Sequence, residues 1–283
     1  MGNIGRVGQG PGEYRMTLYD DIIDDKNGLI YLVPLMWGNI LVYNTSGVFL
    51  REIVAPMPLL KPKMFLSNDV LTILHKTLRE DSPMAFQIDI NTGQVLSELS
   101  TPAHFVVSGL DGEIFNARNV QGVFDFIHTG VDTLFHFDVE NNRILPVFTM
   151  TGTEGTWRNN FQVNRDLIMT CVNVIDDNIG RLVSRGVVAT DLRNLTSSYV
   201  NIVNDFFGNL PVPANSGTFR NGYFVWNIQP EELMDEIENH LARGNVSQND
   251  RQQLEYLLSK LEENTNNVVF IGRLRDRVER RLW

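Results

Sequence analysis

The 283-residue chain has one cysteine, Cys171, so neither an intrachain disulfide nor a thiolate metal cluster is available to it. Within the apolar run Leu167-Ile168-Met169-Thr170-Cys171-Val172 that thiol is expected to act as a small buried hydrophobe. Positive charge is also short: 24 Lys and Arg against 34 Asp and Glu leave a net charge of −10. Binding to phosphate backbones needs a dense basic face, which argues against nucleic acid as a partner. The one basic run, Arg273, Arg275, Arg277, Arg280 and Arg281, is interrupted by Asp276 and Glu279 and reads as a solvated tail. No apolar run approaches the ~20 residues needed to span a bilayer. Residues Met1 to Arg6 lack the apolar stretch of a secretory signal, so no signal sequence is expected in this chain. Met1-Gly2 begins as a myristoylation site does, but Arg6 stands where Ser or Thr is needed.

What is abundant is aromatic and β-branched. The 16 Phe, 7 Tyr and 4 Trp suit strands, and the length is ample for a core without metal or disulfide. Five segments align as tight turns running into strands: Asn27-Gly28, Asn68-Asp69, Asp111-Gly112, Asn164-Arg165-Asp166 and Asn221-Gly222, each followed by apolar residues. Asn-Gly and Asp-Gly accept the positive φ of two-residue hairpins. A second series of turns follows the first four, at Asn44 to Gly47, Asp89 to Gly93, Asp138 to Asn142 and Asp191 to Asn194. Strands are expected beyond these, at Val48 to Ile53, Val95 to Leu99, Ile144 to Phe148 and Tyr199 to Val203, and ahead of the first turns, at Thr17 to Ile23, Met64 to Ser67, Phe105 to Ser108 and Phe161 to Asn164.

The unit is therefore four antiparallel strands, repeated at the spacing of a propeller blade. The expected fold is all-β, a β-propeller of four-stranded antiparallel blades forming one domain over residues 1–283; a β-sandwich is the alternative. The last blade carries a helical insertion over residues 230–264. Pro230 suits a first helical turn, Leu233, Ile237 and Leu241 share a face, and Gly244 ends the segment. Ser247 with Asp250 then caps a second helix striped by Leu254, Leu257, Leu258 and Leu261. The helices are expected to pack on a blade edge or channel end, with a partner-docking hairpin as the alternative.

The segment Ile4-Gly5-Arg6-Val7-Gly8-Gln9-Gly10-Pro11-Gly12-Glu13-Tyr14, followed by these repeats and the late helix pair, resembles the six-bladed β-propeller family of Bacteroidales, with an NHL-like blade layout. The resemblance implies an exported, periplasmic or cell-envelope lipoprotein of unassigned biochemical activity in its full-length form, and it supplies no catalytic residues. It also implies that Ile4 to Val7 is the remnant outer strand of a sixth blade in an N-terminally truncated ring, or a strand completing the final sheet of a five-bladed one.

Candidate chemistry is sparse. The glycine-rich start is not followed by Lys-Ser/Thr or by a helix, so it is a tight loop and no phosphate cradle. Asp20, Asp21, Asp24, Asp25 and Asn27 suggest no more than adventitious calcium, because strand alternation splits them between two faces; Asp176-Asp177-Asn178 stands the same way. No cofactor is expected. His75, His104, His128, His136 and His240 show no metal-ligand spacing, and His75 and His128 are expected in solvated loops after second strands. Propeller sites gather at one channel mouth, where the loops leading into first strands meet those joining second strands to third. That rule selects Gln9, Glu13, Tyr14, Trp37, Asn39, His75, Arg118, Asn119, Trp157, Arg158 and Asn173, with Met36 beside Trp37. Tryptophan with Arg and Asn suits stacking on a sugar or gripping a peptide; Trp37 and Trp157 serve equally as inter-blade core. The expected function is non-catalytic binding of a glycan, peptide or protein partner. The alternative is a hydrolase or lyase in which His and carboxylates converge from different blades. A third class works through an exposed blade edge.

Overall fold

The computed structural model describes residues 4–15, 17–106, 112–117, 123–129, 131–151, 156–176, 181–213, 219–220, 222–244, 246–262 and 266–273. Two compact units emerge, Met1–Asn116 with Phe124–Thr149, and Ala117–Val123 with Met150–Trp283.

In the first unit, β1 (Arg6–Val7) and β2 (Glu13–Tyr14) pair in parallel across the glycine-rich loop. The stretch expected as an outer strand thus bridges to its own loop. Ile4 and Tyr14 pack on Tyr43 and Phe49, and the Tyr43 hydroxyl donates to the Gly12 carbonyl. Gly12 lies at φ +72°, and a Cβ there would stand 2.5 Å from the Phe49 ring, so both conformation and space demand glycine.

The first sheet is β3 (Leu18–Asp24), β4 (Leu29–Pro34), β5 (Trp37–Asn44) and the leading half of β6 (Phe49–Ser67). The trailing half of β6 opens a second sheet with β7 (Val70–Lys76), β8 (Pro83–Asp89) and β9 (Val95–Ser100). The handover falls at Pro58 to Pro62, where the register shifts between Leu60 and Lys63 and Lys61 adopts φ 49°. Proline is tolerated in strands at edges and bulges, which suits the place where one strand changes partners.

The third sheet is β10 (Ile114–Ala117), β11 (Asp125–His128), β12 (Thr133–Asp138) and β13 (Arg143–Thr149). Here the sequence alignment slips by one strand. Gly112 leads into the first strand of the sheet, not the second, and Asp125–His128 is a strand the alignment passed over. Residues 118–122, between the first two strands, carry no apolar-flanked turn signal of the Asn-Gly or Asp-Gly kind, so Asp111-Gly112 took their place. Ahead of it, Phe105, the first residue of the strand expected over Phe105 to Ser108, ends a 3-10 turn over Ala103–Phe105 started by Pro102 at φ −62°; Val107 and Ser108 of that expected strand lie outside the described residues.

The second unit holds β14 (Thr156–Asn164), β15 (Leu167–Asp176), β16 (Arg181–Asp191) and β17 (Thr196–Tyr199). β17 begins earlier than expected because Leu195, at φ 54°, closes the turn after Asp191. A short hairpin follows, β18 (Val203–Asn204) and β19 (Leu210–Pro211). The last sheet is β20 (Phe219–Arg220), β21 (Tyr223–Ile228) and β22 (Val268–Arg273), with α1 (Pro230–Ala242) and α2 (Gln248–Leu258) inserted between β21 and β22. Leu233, Ile237 and Leu254 join Leu210, Trp226 and Ile228 in one apolar cluster, and Ser247 Oγ accepts the Asp250 N–H at the start of α2.

Two regularities explain why these residues make these sheets. The residue opening the second turn is Asn44, Asp89, Asp138 or Asp191, and each side chain accepts a backbone N–H two or three residues on. Such Asx turns reverse the chain locally, without help from packing. Burial also falls across each sheet: β4, β7 and β11 are almost wholly buried, whereas β9, β13 and β17 are mostly exposed. Strands covered on both faces need continuous apolar runs, as in Leu29 to Pro34.

Candidate functional site

The repeats bring the starts of first strands to the same end as the connections between second and third strands. The Leu35 N–H donates to Thr17 O and the Met36 N–H to Leu59 O, each at 2.9 Å; Thr129 N–H reaches Glu113 O at 2.9 Å. Where these ends meet, three sheets of the first unit contribute to one bonded network. The Lys61 ammonium donates to Glu113 Oε1 at 2.8 Å and to the Gly112 carbonyl at 2.9 Å. The Tyr19 hydroxyl donates to the other Glu113 oxygen. Lys63 stands over the Tyr19 ring, 4.8 Å from its centre. Glu113 is anchored in turn by Thr129, whose hydroxyl accepts the Glu113 N–H at 2.6 Å.

Burial pushes the Glu113 carboxyl above the usual carboxylate range, although its side chain is still 36% exposed and reachable from solvent. Lys61 sits in the left-handed region without being glycine. Backbone strain of this kind costs on the order of 1 kcal/mol and persists where surrounding interactions hold it. Here the ion pair with Glu113 does so.

Behind the network lies a layer of buried polar side chains. Lys76 and His128 are each 2% exposed, and His128 Nδ1 donates to Thr129 O at 3.0 Å. Burial first, and the Lys76 charge after it, lower the His128 pKa. His75 is equally buried and stacks on Phe86, with neither ring nitrogen in a well-formed hydrogen bond. Burial holds its pKa at about 4, the carbonyls of Pro83 and Lys76 opposing weakly. Both histidines end second strands rather than standing in solvated loops; aromatic neighbours, Phe86 for one and Phe105 for the other, draw the rings inward.

The remaining candidates fall into separate places. Gln9, Glu13 and Tyr14 belong to the loop docked on Tyr43 and Phe49; Glu13 pairs with Arg6 and accepts the Gly10 N–H at 2.8 Å, which keeps its carboxyl ionised below the usual range. Trp37 lies opposite Leu59 at the β5–β6 handover, and Asn39 donates to Glu52. In the second unit, Arg158 and Asn173 are buried, and the register sets Trp157 opposite Asn173. Arg118 and Asn119 lie outside the described residues, as do Asp177 and Asn178 and the run from Arg275 to Arg281. Of the acidic stretch, Asp20 accepts the Met64 N–H at 2.7 Å and Asp24 accepts from the Asn27 side chain at 2.8 Å. Among the described residues no group of three His, Cys, Asp or Glu is arranged to hold a metal, and no helix is long and apolar enough to cross a membrane.

Glu113 is hidden in the sequence because Asp111-Gly112 resembles the turns that lead into second strands; registered by β11, Glu113 stands just ahead of a first strand, β10, and Tyr19 near the start of another, β3. Tyr19, Lys61 and Lys63 carry no local signal that marks them as neighbours of Glu113.

Residues 1–74 match the family DUF5128, 6-bladed beta-propeller. That match covers the N-terminal part of the chain. The chain's fold is shared with solved structures along almost its whole length. A protein from Bacteroides fragilis whose name calls it exported aligns at TM-score 0.63 and 15% identity, over 96% of this chain and 81% of that one. A member of the duf4221 family from Bacteroides vulgatus aligns at TM-score 0.50 and 12% identity, over 94% and 81%. No curated protein matches the chain's sequence.

Proposed function

We propose that this propeller is a non-catalytic binding protein, exported in its full-length form, that takes a glycan or peptide at the end where Tyr19, Lys61 and Glu113 meet. The observation carrying the proposal is the convergence of those three side chains from three successive sheets. Together they offer a ring face, an ammonium and a partly exposed carboxylate, the set that orients hydroxyls and amides. The exported location rests on the name of the Bacteroides fragilis relative in fold and on the family resemblance. Four repeats of four strands and a fifth that is three-stranded among the described residues, with Ile4 to Val7 from a further one, are the proposed layout within a single domain over residues 1–283, the helix pair being an insertion in the last blade.

A hydrolase or lyase is the second reading, favoured by the raised Glu113 pKa, which suits an acid–base group. Against it, the His–carboxylate pair His136–Asp125, at 2.9 Å, is made within one sheet and not across several. Calorimetry with a panel of bacterial oligosaccharides and short peptides decides between them. Binding without turnover, weakened about tenfold or more by Lys61→Ala and by Glu113→Gln, supports the first reading. Release of cleaved product, abolished in Glu113→Gln, would establish the second; silence across the panel would remove this end as the site.

A further inference from the structure

Lys61 shares the left-handed backbone region with Met36, which closes the turn between β4 and β5 at φ 56°. Asparagine or glycine would hold that turn at less cost, yet the residue is a methionine with 50% of its surface exposed. Strain of this kind in a half-exposed apolar residue points to a use for the side chain. The Met36 N–H is fixed on the Leu59 carbonyl at 2.9 Å. Leu60 pairs with Lys76, so the connection that follows β7 begins beside the same stretch of β6. That connection carries Leu78, 48% exposed, and Pro58 is exposed as well. Register therefore brings three exposed apolar residues, Met36, Pro58 and Leu78, to the stretch of β6 around the buried Leu59. Lys61 is two residues further on, at most about 7 Å of chain.

The ion pair next to this patch has bonding capacity to spare. A Lys ammonium has three donors, and Glu113 Oε1 and the Gly112 carbonyl take two of them. Each Glu113 oxygen can accept two hydrogen bonds and receives one, from Lys61 and from the Tyr19 hydroxyl respectively. The pair thus offers one donor and two acceptor positions side by side, with its charges cancelled. An extended peptide residue turns its own N–H and C=O to the same side and is neutral, which is the complement of such a pair. Sugar rings instead call for an open aromatic face. Here the Tyr19 ring has Lys63 over it, 4.8 Å from its centre, its hydroxyl is held by Glu113, and Trp37 is half-buried.

We infer that the occupant of this end is an extended peptide segment of a partner polypeptide, with a Leu, Met or Phe side chain seated on Met36, Pro58 and Leu78 and neighbouring backbone bonded to Lys61 and Glu113. The unbranched thioether of Met36 adapts to the shape it meets, so the patch selects apolar over polar side chains without fixing one of them. The inference rests on the reading of this end as a binding site and decides between the two ligand classes named for it.

The test uses the full chain, fluorescence polarisation and two pools of fluorescein-labelled octapeptides, random except at the fourth position, which is leucine in one pool and serine in the other. The leucine pool should bind about tenfold or more tightly, as expected for burial of one such side chain. Met36→Asn, which keeps the left-handed backbone, and Leu78→Ser should each weaken the leucine pool about threefold or more. The double variant should bind both pools alike, whereas Lys61→Ala should weaken both. Equal binding of the two pools, or a leucine preference that survives in the double variant, would overturn the inference. So would binding of bacterial oligosaccharides, lost in Lys61→Ala, with no binding of peptide; that result would leave the reading of this end as a site intact. If neither peptides nor oligosaccharides bind, that reading falls, and the inference with it.

Discussion

At the scale of single residues, His75 shows what burial does when no partner compensates. Its imidazole, 2% exposed and stacked on Phe86, is held neutral with a pKa of about 4 against an ordinary 6.5. Between those values the unfolded chain binds a proton that the folded chain does not. The stability is therefore whole above about pH 6.5 and is lost progressively as pH falls toward 4, by on the order of 3 kcal/mol from this group. Replacing it by Phe, which keeps the stack and removes both nitrogens, should flatten the fall in urea midpoint over that range; an unchanged slope would show that other groups set it. Gly12 sits at the opposite extreme, where conformation and not charge decides. A Gly12→Ala change should cost about 1–3 kcal/mol, because φ +72° and the nearby Phe49 ring both oppose a methyl. Thermal unfolding of the variant measures it. The glycine-rich string was legible in the sequence as a tight loop, but its docking on Tyr43 and Phe49 was not. That contact depends on residues some 30 positions away, which no local pattern reports.

Elements were legible where their signals are local and obscured where they are not. Asn44, Asp89, Asp138 and Asp191 announce their turns through their own side chains, so the second turn of each of the first four repeats stood where expected. The two helices likewise follow from Pro230, the Ser247 cap and the leucine stripe. β11 was missed because its neighbouring turn has no such marker and an Asp-Gly pair nearby does. The helix pair allows a graded test of packing against capping. Leu254 is fully buried in the cluster with Leu210 and Ile237, so Leu254→Ala should destabilise by about 2–5 kcal/mol. Ser247→Ala, losing one capping bond at 3.1 Å, should cost about 1 kcal/mol. Chemical denaturation of the two variants, read by circular dichroism, should keep that order. Equal losses would mean that the helices pack too loosely on the sheet for Leu254 to matter.

At the scale of the molecule, composition bounded the function more than it named it. The charge of −10 and the single cysteine narrowed the partners and the chemistry, but the converging side chains come from residues 19, 61 and 113, and only the pairing of whole sheets sets them side by side. The first unit is tied together by β6, which is paired to β5 over its leading half and to β7 over its trailing half. A protease needs an unpaired stretch of backbone, so limited trypsin digestion followed by mass spectrometry should leave Arg51 and Lys63 uncut while exposed sites elsewhere are cleaved. Early cuts at these two would mean that β6 opens locally. The same strand bears on how such a chain can be rearranged over generations. Where repeats are joined by loops, one can be gained or lost without injury to its neighbour. Between the first two sheets no loop intervenes, and removing either repeat would sever a strand its neighbour needs, so this pair is inherited, duplicated or deleted as one piece.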